Sequence, residues 1–254
     1  MISFVRDRLL VACAIVGVGL SGFFDGILLH QVLQWHHLLS LVPGERLQDI
    51  GNQIFADGMF HVLMYLVTGF GLYRLYLARE DLRLAGAGRR AIAGALLGFG
   101  LWNIVDVAGF HWLLGIHRIR VNVPNPMLYD VGWLTLLGLL PVAVGVTLVR
   151  RRGGMAGSSA GAILPALALI AAPLASLPAP GSTSALVVFP HSYGAANALN
   201  AVISSHSGIL WADTAGRFVA VRLQDDSSAK QLYQSGALLV TRSPALAGCV
   251  AAVS

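Results

Sequence analysis

Aspartate and histidine recur at a fixed spacing in two apolar segments of this chain. The pattern is G-x-G-L-x4-D-x4-H-x5-H, and the second copy follows the first at a constant offset of 81 residues. Its polar members are Asp25, His30 and His36 in the first copy and Asp106, His111 and His117 in the second. Imidazole and carboxylate groups bind metal ions, carry protons or form buried hydrogen bonds. A repeat that aligns one aspartate and two histidines therefore predicts a shared polar site.

Three more polar residues belong with this set. Asp57 and His61 are four residues apart, so they share one face of a helix. Asp130 lies just inside the start of a later apolar segment, as Asp57 does in an earlier one. An ionisable group inside a bilayer costs roughly 2.5–3.5 kcal/mol on insertion scales. A chain that carries so many of them at once is expected to use them.

The elements that position these residues must lie in a lipid bilayer. Hydrophobic residues make up 56% of the 254, only 11% are charged, and the mean hydropathy is +0.71. A soluble domain carries roughly 25% charged residues. The net charge of +5 comes mostly from arginines beside apolar segments, which indicates membrane flanking and no nucleic-acid partner.

Five segments approach the roughly 20 apolar residues that a membrane helix needs. They are residues 9–35, 55–77, 91–116, 128–149 and 162–177. The fifth, rich in alanine and proline, is the weakest of the five. The first four form two helical hairpins, which the repeat relates by a pseudo-twofold axis along the membrane normal. The predicted fold is an all-α transmembrane bundle of two repeated hairpins plus a fifth helix.

The arginines predict the orientation of these spans. Ten lie on one side and three on the other. The ten are Arg6, Arg8, Arg74, Arg79, Arg83, Arg89, Arg90, Arg150, Arg151 and Arg152, and the three are Arg46, Arg118 and Arg120. Cytoplasmic loops carry the excess of positive residues. The N-terminus is therefore predicted in the cytoplasm, and everything after the fifth span in the periplasm.

This orientation puts the polar residues at similar depth near the outer face. The first and third spans run outward and carry their histidines late, whereas the second and fourth run inward and carry their aspartates early. An ideal α-helix, however, separates residues five apart by about 140°. Asp25 and His30 can face one centre only if the helix is distorted, which Gly26 or Gly109 would permit.

Metal binding is the main hypothesis for this cluster, because imidazole with carboxylate suits copper(II), iron, zinc or manganese. The predicted metal residues are His30, His61 and His111 as the first ligands, Asp25, Asp57, Asp106 and Asp130 as ligands or orienting groups, and His36 and His117 as an outer gate or second site. The centre would hold one ion on the axis or two equivalent ions. The expected function is metal handling or metal-centre assembly.

Other functions of the same residues stay open. Histidines from the first and third spans could ligate haem b, or the cluster could line a proton or ion path. A buried hydrogen-bond network that fixes helix register is the structural alternative. No nucleophile motif or phosphate loop occurs in the sequence. The alternatives are thus a membrane oxidoreductase with haem b or a non-haem metal, and a structural subunit of a respiratory complex.

The C-terminal part is predicted as a small soluble α+β domain. Linkers rich in glycine, serine and proline flank the fifth span at residues 153–161 and 178–184. The elements predicted beyond them are a strand at 185–189, a helix at 195–206, strands at 209–215 and 217–223, a helix at 227–236 and a strand at 237–241. This βαββαβ order is ferredoxin-like. The expected domains are the core 1–152, the linker and fifth helix 153–181, and a partner-docking periplasmic domain 182–254.

Four blocks of the membrane core resemble a known family. They are GFFDGILLHQVLQWHHLLS (22–40), DGMFH (57–61), GFGLWNIVD (98–106) and HWLLGIHRIR (111–120), all within residues 9–150. They resemble DUF2243, a bacterial family of predicted membrane proteins of unknown function. The resemblance implies a polytopic inner-membrane protein with four core helices and supplies no activity. It also favours copper, because such proteins tend to accompany copper-handling and cytochrome oxidase assembly proteins, which implies a respiratory or metal-handling complex as partner.

Overall fold

A computed structural model describes residues 6–33, 35–48, 50–151, 157–175, 177 and 183–243. The described residues divide into two compact units, whose bounds are Met1–Val42 with Phe60–Ala175, and Pro43–Met59 with Ser176–Ser254. Parts of the two predicted linkers, residues 153–156 and 178–182, lie outside the described residues.

Helices make up most of the chain before residue 176. In chain order they are α1 (Arg8–Asp25), α2 (Glu45–Gln48), α3 (Ile50–Leu77), α4 (Ala87–Val105), α5 (Pro126–Trp133), α6 (Leu140–Arg150) and α7 (Gly157–Ala175). Three π-helical segments extend or join them, namely π1 (Gly26–Val32) after α1, π2 (Asp106–Leu113) after α4 and π3 (Leu134–Leu139) between α5 and α6. A 3₁₀ turn at Arg79–Arg83 follows α3.

Four helical stretches are long and apolar enough to cross a membrane. They are Arg8–His30, Ala56–Leu77, Ala87–Leu113 and Pro126–Arg150. These four coincide with the first four predicted spans, and the prediction of a membrane protein is confirmed. At the fifth predicted span, α7 contributes the apolar stretch Ile163–Leu174, which is shorter than a bilayer crossing needs. A fifth crossing stays a prediction.

The first unit exposes many large apolar side chains and buries a set of polar ones beside its apolar core. Leu66 on α3 and Leu128 on α5 are each 67% exposed, as are many other large apolar side chains of these helices. His111 and Asp130 are fully buried. Apolar surface of this kind is stable against lipid chains, whereas the polar groups must find partners within the protein.

Glycines let α1 and α4 pack backbone against backbone. A Cβ atom built on Gly17 would lie 2.1 Å from the carbonyl oxygen of Ala95, and one on Gly98 would lie 1.8 Å from that of Ala14. These two contacts are reciprocal, because Gly98 and Ala95 follow Gly17 and Ala14 by the same 81 residues. The two helices that end in Asp25 and Asp106 are therefore held at the closest approach that backbones allow.

A small antiparallel sheet forms the described C-terminal part. Its elements are β1 (Ser184–Val188), α8 (Ala195–Ser204), β2 (Gly208–Ala212), β3 (Phe218–Arg222), α9 (Asp226–Gln234) and β4 (Leu239–Thr241), and the strand order is β2-β3-β1-β4. Val187, Val202, Val219 and Leu232 are fully buried between sheet and helices. The sheet agrees with the α+β segment that short apolar runs between turn residues predict.

Candidate metal centre

Both copies of the repeat change from α-helix to π-helix at their aspartate. Asp25 and Asp106 have the same backbone angles, φ −59° and ψ −56°, and each stands at a junction between the two helix types. Hydrogen bonds between residues five apart follow, from Leu33 N to Leu28 O at 2.8 Å and from Leu114 N to Gly109 O at 2.9 Å. Because a π-helix joins residues i and i+5, it brings an aspartate and a histidine five positions apart onto one face. The 140° separation of an ideal α-helix is thereby removed.

The first group of donor atoms, the first triad, consists of Asp25, His30 and His36. Nε2 of His30 lies 3.7 Å from Oδ2 of Asp25 and 3.0 Å from Nε2 of His36. All three side chains are buried. Asp25 and His30 come from the two ends of one helical turn, and His36 returns to them from the loop after π1.

The second triad consists of Asp106, His111 and His117, the equivalent residues of the second copy. Nε2 of His111 lies 3.1 Å from Oδ2 of Asp106, and Nε2 of His117 lies 3.4 Å from Oδ1 of the same carboxylate. These side chains are buried as well. Each triad thus offers two imidazoles and one carboxylate, the donor set of many non-haem metal sites.

The two triads adjoin each other. The rings of His36 and His117 stack with centroids 4.8 Å apart and planes inclined by 19°. The His36 ring also lies 6.4 Å from that of His111, measured between centroids. Residues that are 81 positions apart in the sequence therefore meet in one polar centre near the ends of α1 and α4.

Asp130 on α5 orients the second triad. Its Oδ1 accepts hydrogen bonds from Nδ1 of His111 at 3.0 Å and from the backbone N–H of Ile119 at 3.1 Å. Its Oδ2 accepts from Nε1 of Trp112 at 3.2 Å and from the Arg118 guanidinium at 2.7 Å. A carboxylate that accepts from Nδ1 fixes the orientation of the ring, and in the neutral imidazole it leaves the lone pair on Nε2, as in the carboxylate–histidine–metal arrangement.

The loop after π2 orients the first triad. Nδ1 of His36 lies 3.0 Å from the carbonyl oxygen of Ile119, which can only accept, so Nδ1 donates and Nε2 keeps its lone pair. Burial holds the pKa of His36 well below its usual range, and burial also lowers the pKa of His117. Both rings are therefore neutral at neutral pH, which is the form that binds metals.

The His61 ring lies close to the backbone of π1 at Gly26, next to the first triad. It is fully buried on α3, and a Cβ atom built on Gly26 would lie 2.2 Å from its Nε2. Gly26 immediately follows Asp25, so the absence of a side chain there admits the His61 ring to the backbone of π1. Asp57 is buried one helical turn before His61 on α3.

The structure brings together six of the residues that the sequence singles out, as two equivalent triads, and places Asp130 behind one of them. His36 and His117, predicted as an outer gate or second site, lie inside the triads. Sequence reasoning missed the contribution of Trp112, Arg118 and the Ile119 backbone. The only available signal was that they flank His111 and His117 in the chain.

The donor atoms lie at distances that fit a hydrogen bond or ion pair and that also fit metal coordination. An ion bound at about 2.0–2.1 Å with angles of about 90–110° keeps its donors about 2.9–3.4 Å apart. Three of the four donor distances above fall in that range, at 3.0, 3.1 and 3.4 Å, and the fourth is 3.7 Å. Three protein donors leave coordination positions open for water or a substrate.

The membrane core matches one protein family. The family described as "Predicted membrane protein (DUF2243)" matches residues 12–152. No curated protein and no solved structure matches the chain significantly. The matched segment is more than half of the 254 residues and includes both triads and Asp130, so the chain belongs to the DUF2243 family of predicted membrane proteins.

Proposed function

We propose that this membrane protein binds metal through the two triads and serves in metal handling or metal-centre assembly. One observation supports this above all. Two imidazole nitrogens converge on one buried carboxylate, since Nε2 of His111 lies 3.1 Å from Oδ2 of Asp106 and Nε2 of His117 lies 3.4 Å from Oδ1. Asp130 accepts from Nδ1 of His111, so in the neutral imidazole the lone pair of Nε2 is the one directed at Asp106. A cation bound between these two Nε2 atoms and the carboxylate would be coordinated by all three groups.

We place the centre near the periplasmic face of a bacterial inner membrane. The ten-to-three distribution of arginines supports a cytoplasmic N-terminus. His30 ends one membrane-length helix, and Pro126 starts another, so the donors lie near helix ends on one side of the bilayer. The C-terminal sheet would lie in the periplasm if α7 completes a crossing, and would dock a respiratory or metal-handling complex.

Copper is the proposed metal on the strength of the family resemblance. Imidazole and carboxylate donors also suit iron and zinc, so the donor set alone does not select copper. No thiolate joins the described donors, because Cys13 lies inside α1, three turns before Asp25.

A membrane oxidoreductase is the second candidate, and the donor count favours a non-haem ion over haem b. Two histidines and one carboxylate with open positions form the facial triad of non-haem iron oxygenases. Haem b would need an open slot the size of a porphyrin between its axial histidines. Here the His117 ring already lies 4.8 Å from that of His36 and 4.5 Å from that of His111, measured between centroids.

The test is element analysis by mass spectrometry of the protein purified in detergent, together with its absorption spectrum. We expect a near-stoichiometric metal in the wild type and its loss in the double variant His30→Ala/His111→Ala. The neighbouring variant His37→Ala, which leaves both triads intact, is the matched control and should keep the metal.

Two results would overturn the proposal. A metal-free wild type, even after loading with Cu(II), Fe(II) or Zn(II), leaves a buried hydrogen-bond network or an ion path. A Soret band that disappears in the double variant would replace the bare ion by haem b.

A further inference from the structure

The six donors form two complete sets rather than one large set. Within each triad the ligand atoms lie within 4.8 Å of one another, and each triad contains one carboxylate and two imidazoles. A single octahedral ion at about 2.1 Å would bring all six donors within about 4.2 Å of one another. The donors group by threes instead, and each group comes from a single copy of the repeat.

Each triad also has its own support. The Asp130 carboxylate positions His111 in the second triad. It accepts four hydrogen bonds in all, from His111, Trp112, Arg118 and the Ile119 N–H. The Ile119 carbonyl positions His36. Neither triad needs a donor from the other to reach three ligands, which is the number that catalytic and transport metal sites commonly use.

The triads are nevertheless in contact, so ions bound to them would be neighbours. His36 of the first triad stacks on His117 of the second, and its ring lies 6.4 Å from that of His111. Two-metal centres in proteins hold their ions about 3.5–4 Å apart. Building on the metal binding proposed above, we infer that the centre is binuclear, with one ion in each triad.

The experiment counts ions in the full chain in detergent, after stripping with a chelator and reloading with Cu(II) alone. The wild type is expected to bind two ions per chain. The variants His30→Ala/His36→Ala and His111→Ala/His117→Ala should bind one each, and His37→Ala two. Electron paramagnetic resonance adds a test that needs no variant. Two neighbouring Cu(II) ions couple, so the wild type should show a spin signal well below two spins per chain.

The outcomes separate this inference from the proposed function. One ion in the wild type, with the full signal of one spin and loss in either double variant, means a single shared ion and overturns the binuclear centre while metal binding stands. No ion in the wild type overturns both. Two ions whose signals are those of two isolated spins would also contradict the inference, because the ions would then not be neighbours.

Discussion

Asp130 and Asp106 are both buried aspartates, but they make different contacts in this centre. A carboxylate has about four lone-pair sites, and Asp130 uses them for one imidazole, one indole, one guanidinium and one backbone N–H. It has none left for a metal ion. Asp106 faces two Nε2 atoms, those of His111 and His117. The same residue type thus orients at one position and is available as a ligand at the other.

Gly26 is the residue at which a single methyl group has the clearest expected effect. In Gly26→Ala the new Cβ would lie 2.2 Å from Nε2 and 2.9 Å from Cε1 of His61. The buried ring must move, and overpacking of this kind costs about 1–3 kcal/mol. We expect the thermal unfolding temperature in detergent to fall by several degrees.

Gly109→Ala is the matched control, because Gly109 also lies in a π-helical segment and a Cβ there meets nothing within 4 Å. Its unfolding temperature should equal that of the wild type or exceed it slightly, since alanine reduces the entropy of the unfolded chain. If the unfolding temperature fell equally in both variants, the contact between Gly26 and the His61 ring would not be the cause of the loss.

The residues of the two triads could be singled out from the sequence, but their grouping by threes and the groups that support them could not. Spacing alone singles out Asp25, His30 and their equivalents, because two copies align the same residue types. The hydrogen bond from His36 to the Ile119 carbonyl leaves no trace in the sequence, since every residue has such a carbonyl. It depends on the path of a loop 83 residues away along the chain.

At the scale of elements, the decisive feature is the change of helix type. The lengths of the apolar segments predict the four membrane helices at the observed places, and a fifth crossing that stays a prediction. The D-x4-H spacing shows that an α-helix would separate the aspartate from the histidine. The backbone hydrogen bonds show that the helices continue as π1 and π2, which bring the aspartate and the histidine onto one face without a break in the helix. The difference rests on a single residue per turn, which hydropathy patterns do not resolve.

The packing of α1 against α4 determines whether the triads can meet. In Gly98→Val the Cβ would lie 1.8 Å from the carbonyl oxygen of Ala14, so the two helices must separate. Asp25 and Asp106 stand at the ends of these helices, and we expect metal to be lost from both triads together. Element analysis and the unfolding temperature of the same preparation measure the effect.

Gly69→Val introduces the same side chain on α3 at a place where a Cβ meets nothing within 4 Å. This control should keep the metal content of the wild type. If Gly98→Val keeps both ions as well, the triads do not depend on the close approach of α1 and α4.

At the scale of the whole molecule, composition is enough to identify the solvent of the core. A chain with 11% charged residues covers its helices with leucine, phenylalanine and valine, and lipid is the medium in which that surface is stable. The C-terminal sheet follows from short apolar runs bounded by turn residues. The side of the membrane on which each part lies is a separate question, which the arginines predict and the fold does not determine.

Cysteine labelling in spheroplasts tests this orientation. In a background with Cys13→Ala and Cys249→Ala, a membrane-impermeant maleimide should label Asn122→Cys in intact spheroplasts. It should label Ala85→Cys only after permeabilisation, because residue 85 lies among arginines predicted to be cytoplasmic. Asn122 and Ala85 are both exposed, so the maleimide would reach the two positions equally well within the protein.

A third variant, Gln224→Cys, reports on the C-terminal unit. Labelling from outside would place the sheet in the periplasm and require α7 to complete a crossing. The reverse pattern for Asn122→Cys and Ala85→Cys would invert the whole arrangement and put the metal centre at the cytoplasmic face.

The π-helical segments also bear on how the chain arose. Such a turn holds one residue more than the α-helical turn it replaces, so each segment corresponds to one inserted residue. Both hairpins carry the insertion after an equivalent aspartate, Asp25 and Asp106. If the hairpins descend from one ancestor, a single insertion before the gene duplication accounts for both.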